Sequence, residues 1–348
     1  MPAARIVAII GNVEERNNQR VTPAVIDDTA LASENDFRPR IVSIAGPTAV
    51  GKTALGIALA LEFDGEVVNA DSRYLYRGFD IGVAKPDVIE RRGVPHHLID
   101  ILPPNGDMSL ARYQDLAMAA IASVLGRGHL PLLVGGTPLY SNALLEGWRI
   151  PRVPPDPALR AALEAEAAQQ GWQVLSERLR QIDPVAAGRC GSNLRRIIRA
   201  IEVYELTGIP MSAQEGKGPP PFAALEIGLT MPRERLYQAV DARVHDQIAR
   251  GLVAELRALR EGGVADNAPA MSSIGYRQLL PYLRGEITLN DAVARIQFDT
   301  HRYVRHQETW LRRNPRLIWF DVSTDDWQTR ARALVRAFLA SPTADQTA

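Results

Sequence analysis

The chain has 348 residues, 46% of them hydrophobic and 23% charged, which excludes a wholly disordered polymer and suits about two globular domains. Its 40 basic side chains balance 40 acidic ones, so no bulk positive charge marks a nucleic-acid binder, and any such surface must come from local clustering. A single cysteine, Cys190, excludes an internal disulfide and a four-cysteine zinc site and suits a reducing cytoplasm.

Taken in chain order, residues 1–39 read as a flexible N-terminal extension: a short apolar stretch from Ile6 to Ile10 is soon interrupted, and residues 11–39 are polar, mixed in charge and aperiodic. No stretch reaches the roughly 18–20 apolar residues that a bilayer crossing needs, so no membrane role is expected. A β-rich run, Arg40 to Ala45, stops at Gly46-Pro47 and gives way to helix-forming Ala54 to Ala60. A second apolar run, Glu66 to Ala70, ends at Asp71, and a third, Leu130 to Val134, ends at Gly135-Gly136. Continuous apolar strands alternating with helices predict an α/β fold with a parallel sheet flanked by helices.

Pro151, Pro154, Pro155 and Pro157 then form a hinge-like linker. The stretch from Ala158 to Gln181, broken at Gly171, predicts a helical hairpin. The expected organisation is a core at 40–150 plus about 193–340, with a small all-helical insertion domain at about 151–192. A basic helix is predicted from Asn193 to Thr207, stopped by Gly208. Leu225 to Met231 reads as a strand. Leu236, Val240, Val244, Ile248, Leu252, Leu256 and Leu259 form one helical stripe across 233–260. Thr288 and Asp291 resemble a capping box opening a basic helix to about Arg313. A last strand, Leu317 to Phe320, and a final helix follow.

The sharpest motif is Gly46-Pro47-Thr48-Ala49-Val50-Gly51-Lys52-Thr53, which matches G-x-x-x-x-G-K-[ST] between a strand and a helix. It predicts a P-loop NTPase-like fold. The loop N–H groups and the positive end of the following helix suit a phosphate; Lys52 can neutralise it and Thr53 can hold Mg²⁺. Phosphate-loop hydrolases usually carry an acid at the end of another strand, whereas the strand from Leu130 ends in two glycines. Asp71 stands at the carboxyl edge of the sheet, where α/β folds bind ligands. Position alone leaves it open between a general base or metal ligand and a turn or helix-cap residue.

Five ordered blocks across about residues 40–321 resemble the bacterial tRNA dimethylallyltransferases. They are Asp71 to Pro86, Gly93 to Asp100, Leu132 to Tyr140, Arg195 to Val203, and Ile274 to Gln278 together with Gln307 and Trp310. The resemblance implies transfer of a dimethylallyl group from dimethylallyl diphosphate to N6 of the adenosine 3′ of the anticodon, in tRNAs reading codons that begin with U. Pyrophosphate leaves, Mg²⁺ is required, and the enzyme is a cytoplasmic monomer. Asp71 matches the family's catalytic base, Thr48 a residue beside the bridging oxygen, and Arg233 an arginine that contacts the diphosphate. Residues 46–53 would hold that diphosphate.

On the RNA side, the resemblance implies contacts to the anticodon stem-loop by Asp71, Ser72, Arg73, Tyr74, Thr137, Arg160 and the block Arg195, Arg196, Ile197, Ile198 and Arg199. Tyr74 and Arg195 stand where the family usually has Gln; a tyrosine there suits stacking on a base. Helical spacing puts Arg195, Arg196 and Arg199 on one face. On charge alone this face reads better as solvated surface, and it is the resemblance that turns the reading to RNA. Arg295, Arg302, Arg305, Arg312, Arg313 and Arg316 offer a second stripe for a phosphate backbone, or a salt-bridged surface helix. Adjacent His96 and His97 would point to opposite sides of a strand and read as structural. Alternatives to the tRNA enzyme are a prenyltransferase acting on AMP, ADP or ATP, a small-molecule kinase, and a non-enzymatic RNA binder.

Overall fold

The computed structural model describes residues 38–341, so the expected extension at 1–39 lies outside the described residues except for its last two positions. Eight strands run in chain order among the described residues. They are β1 (Arg40–Ala45), β2 (Gly65–Asn69), β3 (His96–His97), β4 (Leu130–Val134), β5 (Trp148–Arg149), β6 (Gly216–Lys217), β7 (Ala223–Thr230) and β8 (Ile318–Asp321). Six of them form one parallel sheet in the order β3-β2-β4-β1-β7-β8.

The chain divides into two compact units. The first holds that sheet and comprises, of the described chain, residues 38–108, 116–141 and 222–341. Its inner strands β1, β2 and β4 are buried on both faces, as their largely apolar runs require. Val42, Ile44, Leu132, Ile227 and Leu229 pack against Leu55 and Leu59 of the helix Lys52–Glu62. Each such side chain contributes roughly 1.5–3 kcal/mol on burial. Because β2, β4 and β1 are neighbours, the segments leaving their carboxyl ends emerge side by side: Asp71, Gly135 and the phosphate loop.

The predicted helix across 233–260 is two helices, Arg233–Ala249 and Leu252–Glu261. Gly251 takes φ 101° between them, a left-handed turn that the apolar stripe gives no sign of. No helix among the described residues is long and apolar enough to cross a membrane.

The second unit is Ser109–Asp115 with Asn142–Pro221. It is helical except for an antiparallel ribbon pairing β5 with β6. Asp156 caps its first long helix, Pro157–Gln170, accepting from the N–H groups of Ala158 and Leu159. The basic helix Leu194–Thr207 belongs to this unit, whereas the sequence had assigned it to the core. Its apolar stripe, Ile197, Ile198, Ala200 and Ile201, is the face that covers Leu163, Leu175 and Leu179 of the hairpin helices.

Candidate active site

Three segments at the sheet's carboxyl edge build the site. In the phosphate loop after β1, Lys52 Nζ donates to the Pro47 carbonyl at 2.7 Å. Burial lowers the Lys52 pKa to about 8, against an opposing pull from Asp71, and the Arg243 charge lowers it further. After β2, Asp71 Oδ1 accepts the Arg73 N–H at 2.9 Å. The turn reading of Asp71 is therefore correct for one oxygen, and the other faces the third segment.

That third segment is Gly135-Gly136-Thr137. Gly135 lies so close to β2 that a methyl group placed on it would sit 2.1 Å from the Ala70 carbonyl carbon. The glycine thus serves backbone approach, which no acid could allow. A methyl group on Gly136 would sit 3.4 Å from Asp71 Oδ2, 3.6 Å from Lys52 Nζ and 2.7 Å from Gln307 Nε2. A carboxylate and a lysine therefore converge on one bare backbone position. Thr137 Oγ1 accepts the Ser72 N–H at 3.1 Å, which ties this turn to the segment after β2.

In front of these groups opens a cavity of about 650 Å³. Thr48, Asp71, Thr137 and Gln307 line its floor, and Val240, Val244, Ile274 and Ile296 give it apolar walls. The segment that brings Gly82 and Val83 to its wall is held by Glu255, which accepts the N–H groups of Asp80, Ile81 and Gly82 at 3.1, 2.9 and 3.4 Å. Gln247 adds donations to the carbonyls of Ile81 and Gly82.

Several sequence-predicted residues take other places. Arg233 does not line the cavity; it is largely exposed and sits 3.6 Å from Glu308. Arg243, ten residues on along the same helix, is the arginine of that helix that reaches the site. It lines the cavity, donates to the Val83 carbonyl at 3.1 Å and lowers the Lys52 pKa. The missed signal was a charge on the helix face shared by Val240, Val244 and Gln247. Tyr74 is turned inward, its hydroxyl donating to the Ala84 carbonyl at 2.7 Å, and burial pushes its pKa up to about 12. Its hydroxyl is therefore engaged within the fold rather than presented outward. Ser72 and Arg73 do line the cavity, and Arg73 also reaches Ser272 Oγ at 3.1 Å.

On the second unit, Ile197 and Ile198 are interior and cannot offer side chains to RNA. Arg160 and Arg199 pair with the fully buried Glu202, Arg160 in a two-pronged contact at 2.8 Å on each prong. Arg195 and Arg196 stand exposed. In the last basic stripe, Arg316 is held by buried Glu226 and Arg305 donates to the Tyr237 hydroxyl, whereas Arg302 lines the cavity. His96 and His97 have separate partners, the Val94 carbonyl and Glu66.

A parallel sheet with a phosphate loop after its central strand, and a carboxylate beside that loop in one cavity, defines a phosphate-loop α/β enzyme. Residues 74–314 match the model of the IPP transferase family. The tRNA dimethylallyltransferase of Thermomicrobium roseum is 54% identical over 303 residues, covering 87% of this chain and 92% of that one. That of Roseiflexus castenholzii is 52% identical, covering 85% and 97%. The crystal structure of the full-length tRNA isopentenylpyrophosphate transferase from Bacillus halodurans gives a TM-score of 0.66 at 38% identity, covering 88% and 98%. A eukaryotic dimethylallyltransferase acting on tRNA gives 0.75 at 28% identity, covering 87% and 80%. The chain belongs to the IPP transferase family.

Proposed function

We propose that this chain transfers a dimethylallyl group from dimethylallyl diphosphate to the exocyclic N6 of the adenosine 3′ of the anticodon in tRNA, releasing pyrophosphate. The observation that carries this reading is the meeting of Asp71 Oδ2 and Lys52 Nζ at Gly136. A carboxylate and an ammonium both close to one point suit a proton acceptor beside an anchor for an anionic leaving group.

The chemistry needs both. The adenine amino group is a weak nucleophile because its lone pair is delocalised into the ring. As N6 bonds to the allylic carbon, the C–O bond breaks and its electron pair leaves with pyrophosphate. The N6 proton passes to Asp71 Oδ2. Lys52, the loop N–H groups and Arg243 hold the departing charge; Lys52 exchanges the Pro47 carbonyl for a phosphate oxygen. The apolar walls suit a five-carbon chain and keep water from the allylic carbon.

The donor set also fits Mg²⁺ carried on the diphosphate. Among the described residues, no group of three His, Cys, Asp or Glu side chains could cage a metal. Thr53 would offer its one hydroxyl, exchanging its present bond with the Tyr74 hydroxyl, and substrate oxygens and water would complete the coordination. The ion would neutralise the leaving group. Ser72, Arg73 and Thr137 at the cavity, and exposed Arg195 and Arg196, would meet the anticodon stem-loop. The enzyme would work in the cytoplasm as a monomer.

The test uses radiolabelled dimethylallyl diphosphate and Mg²⁺. One reaction contains an anticodon stem-loop with adenosine 3′ of the anticodon, the other AMP. Label in the RNA alone is the expected result. Label in AMP alone would move the protein to free-nucleotide prenylation, and label in neither would remove the proposal.

A further inference from the structure

Gln307 is only 3% exposed, on the helix Leu289–Leu311, and it uses both ends of its amide. Oε1 accepts the Thr48 N–H at 2.9 Å, and Nε2 donates to the Gly136 carbonyl at 2.8 Å. One side chain thus spans the phosphate loop after β1 and the turn after β4, and it lines the cavity floor between them. The Tyr303 hydroxyl, one helical turn earlier, bonds the same side chain, and burial together with the Asp71 charge pushes its pKa up, so it stays protonated. The Thr48 N–H is taken by Gln307, so the remaining loop N–H groups are the ones left for pyrophosphate, and none of these contacts enters the proton transfer described above.

The choice of side chain is chemically narrow. The bridge needs one acceptor and one donor a single amide width apart. Glutamine supplies both, ionised glutamate only acceptors, and leucine neither. Because Gly136 is also where Asp71 and Lys52 converge, the bridge sets the spacing between Thr48, the base and the phosphate anchor. A displacement of about 1 Å between reacting groups costs on the order of 10²-fold in rate.

We infer that Gln307 is a positioning residue for the transfer reaction, holding the phosphate loop at its working distance from Asp71 by bridging Thr48 and Gly136. The inference rests on the reaction proposed above. The experiment compares full-length wild type with Gln307→Leu and Gln307→Glu. It measures single-turnover rate, KM for the stem-loop, pyrophosphate affinity and melting temperature. Gln307→Leu should lower the rate about 10–100-fold and weaken pyrophosphate about tenfold while leaving the KM for RNA within about twofold. Gln307→Glu should recover toward the wild-type rate as pH falls from about 8 to about 6, since its protonated carboxyl both donates and accepts, and burial raises its pKa. A rate within threefold of wild type for Gln307→Leu would overturn the inference. So would a loss matched by the unfolded fraction, or a Gln307→Glu to wild-type ratio that is flat with pH. Should wild type transfer no label, the reaction fails separately; unchanged pyrophosphate affinity in Gln307→Leu then overturns the bridge, and a tenfold loss supports it.

Discussion

Asn69 clasps the backbone of Asp71 on both sides. Its Oδ1 accepts the Asp71 N–H at 2.8 Å, and its Nδ2 donates to the Asp71 carbonyl at 2.9 Å and the Leu98 carbonyl at 3.0 Å. Asn69 is the last residue of β2 and is buried, so the sheet itself aims the proposed base. Asn69→Ala would leave three backbone groups without these partners. A stability loss of about 2–3 kcal/mol by urea melt is expected, with turnover falling further than the folded fraction explains. Unchanged turnover would show that Asp71 is aimed by other contacts.

Asp71→Asn keeps the size and the turn bond from the Arg73 N–H but removes the proton acceptor. Turnover should fall by about 10²-fold or more, with stem-loop affinity within twofold of wild type. Equal turnover in wild type and variant would take Asp71 out of the base role.

Lys52 carries a direct pH signature. Its pKa of about 8 lies below the ordinary 10.5 because burial disfavours the ammonium. Pyrophosphate favours the ammonium, so binding near pH 8 should take up protons, seen by calorimetry in two buffers of different ionisation enthalpy. Affinity should fall as pH rises through 8, and Lys52→Met should flatten that limb. Stability follows the opposite course: between about 8 and 10.5 the unfolded chain binds the extra proton, so the Lys52 contribution to stability rises with pH there.

Gly135 and Gly136 should separate stability from activity. A methyl group on Gly135 meets the rigid Ala70 backbone at 2.1 Å, so Gly135→Ala should yield little folded protein. The nearest atom to one on Gly136 is the tip of Gln307, which can shift. Gly136→Ala should fold, lose about 1–3 kcal/mol as the buried Gln307 amide is displaced, and lose turnover about tenfold or more. Solubility and melting temperature alongside single-turnover rate check both.

The arginines of the second unit divide the same way. Burial pushes the Glu202 carboxyl up, but hydrogen bonds from Arg160, Arg199 and the Asp156 N–H outweigh it and hold it below the usual range. Arg160→Ala should cost about 2 kcal/mol, less than a lost buried partner usually costs, since Arg199 remains and Arg160 is part-exposed. Removing Arg195 and Arg196 should leave the melting temperature alone, weaken stem-loop binding and flatten its salt dependence. An unchanged salt slope would return that face to solvent.

The parallel sheet, the phosphate loop and Asp71 were legible in the sequence because each is written in consecutive residues. A strand needs an unbroken apolar run, a phosphate loop needs its glycines and lysine at short fixed spacing, and Asp71 simply ends a strand. Which charges reach the site was not legible. Arg233 and Arg243 lie on one helix, and only packing against the sheet decides which faces the cavity. Tyr74 reads as an RNA contact until the fold turns it inward. Arg160 and Arg199 look like a basic surface until Glu202 is seen buried between them.

The chain alone therefore determined the main strands, most of the long helices, the phosphate loop and the candidate base, because those rest on near-neighbour sterics and hydrogen bonding. Tertiary structure alone decided what converges on Gly136 and which side chains are spent in the interior. The bridge from Thr48 to Gln307 joins positions 259 residues apart. A contact at that separation leaves no local pattern; it exists only once the sheet order and the long helix have brought both ends together.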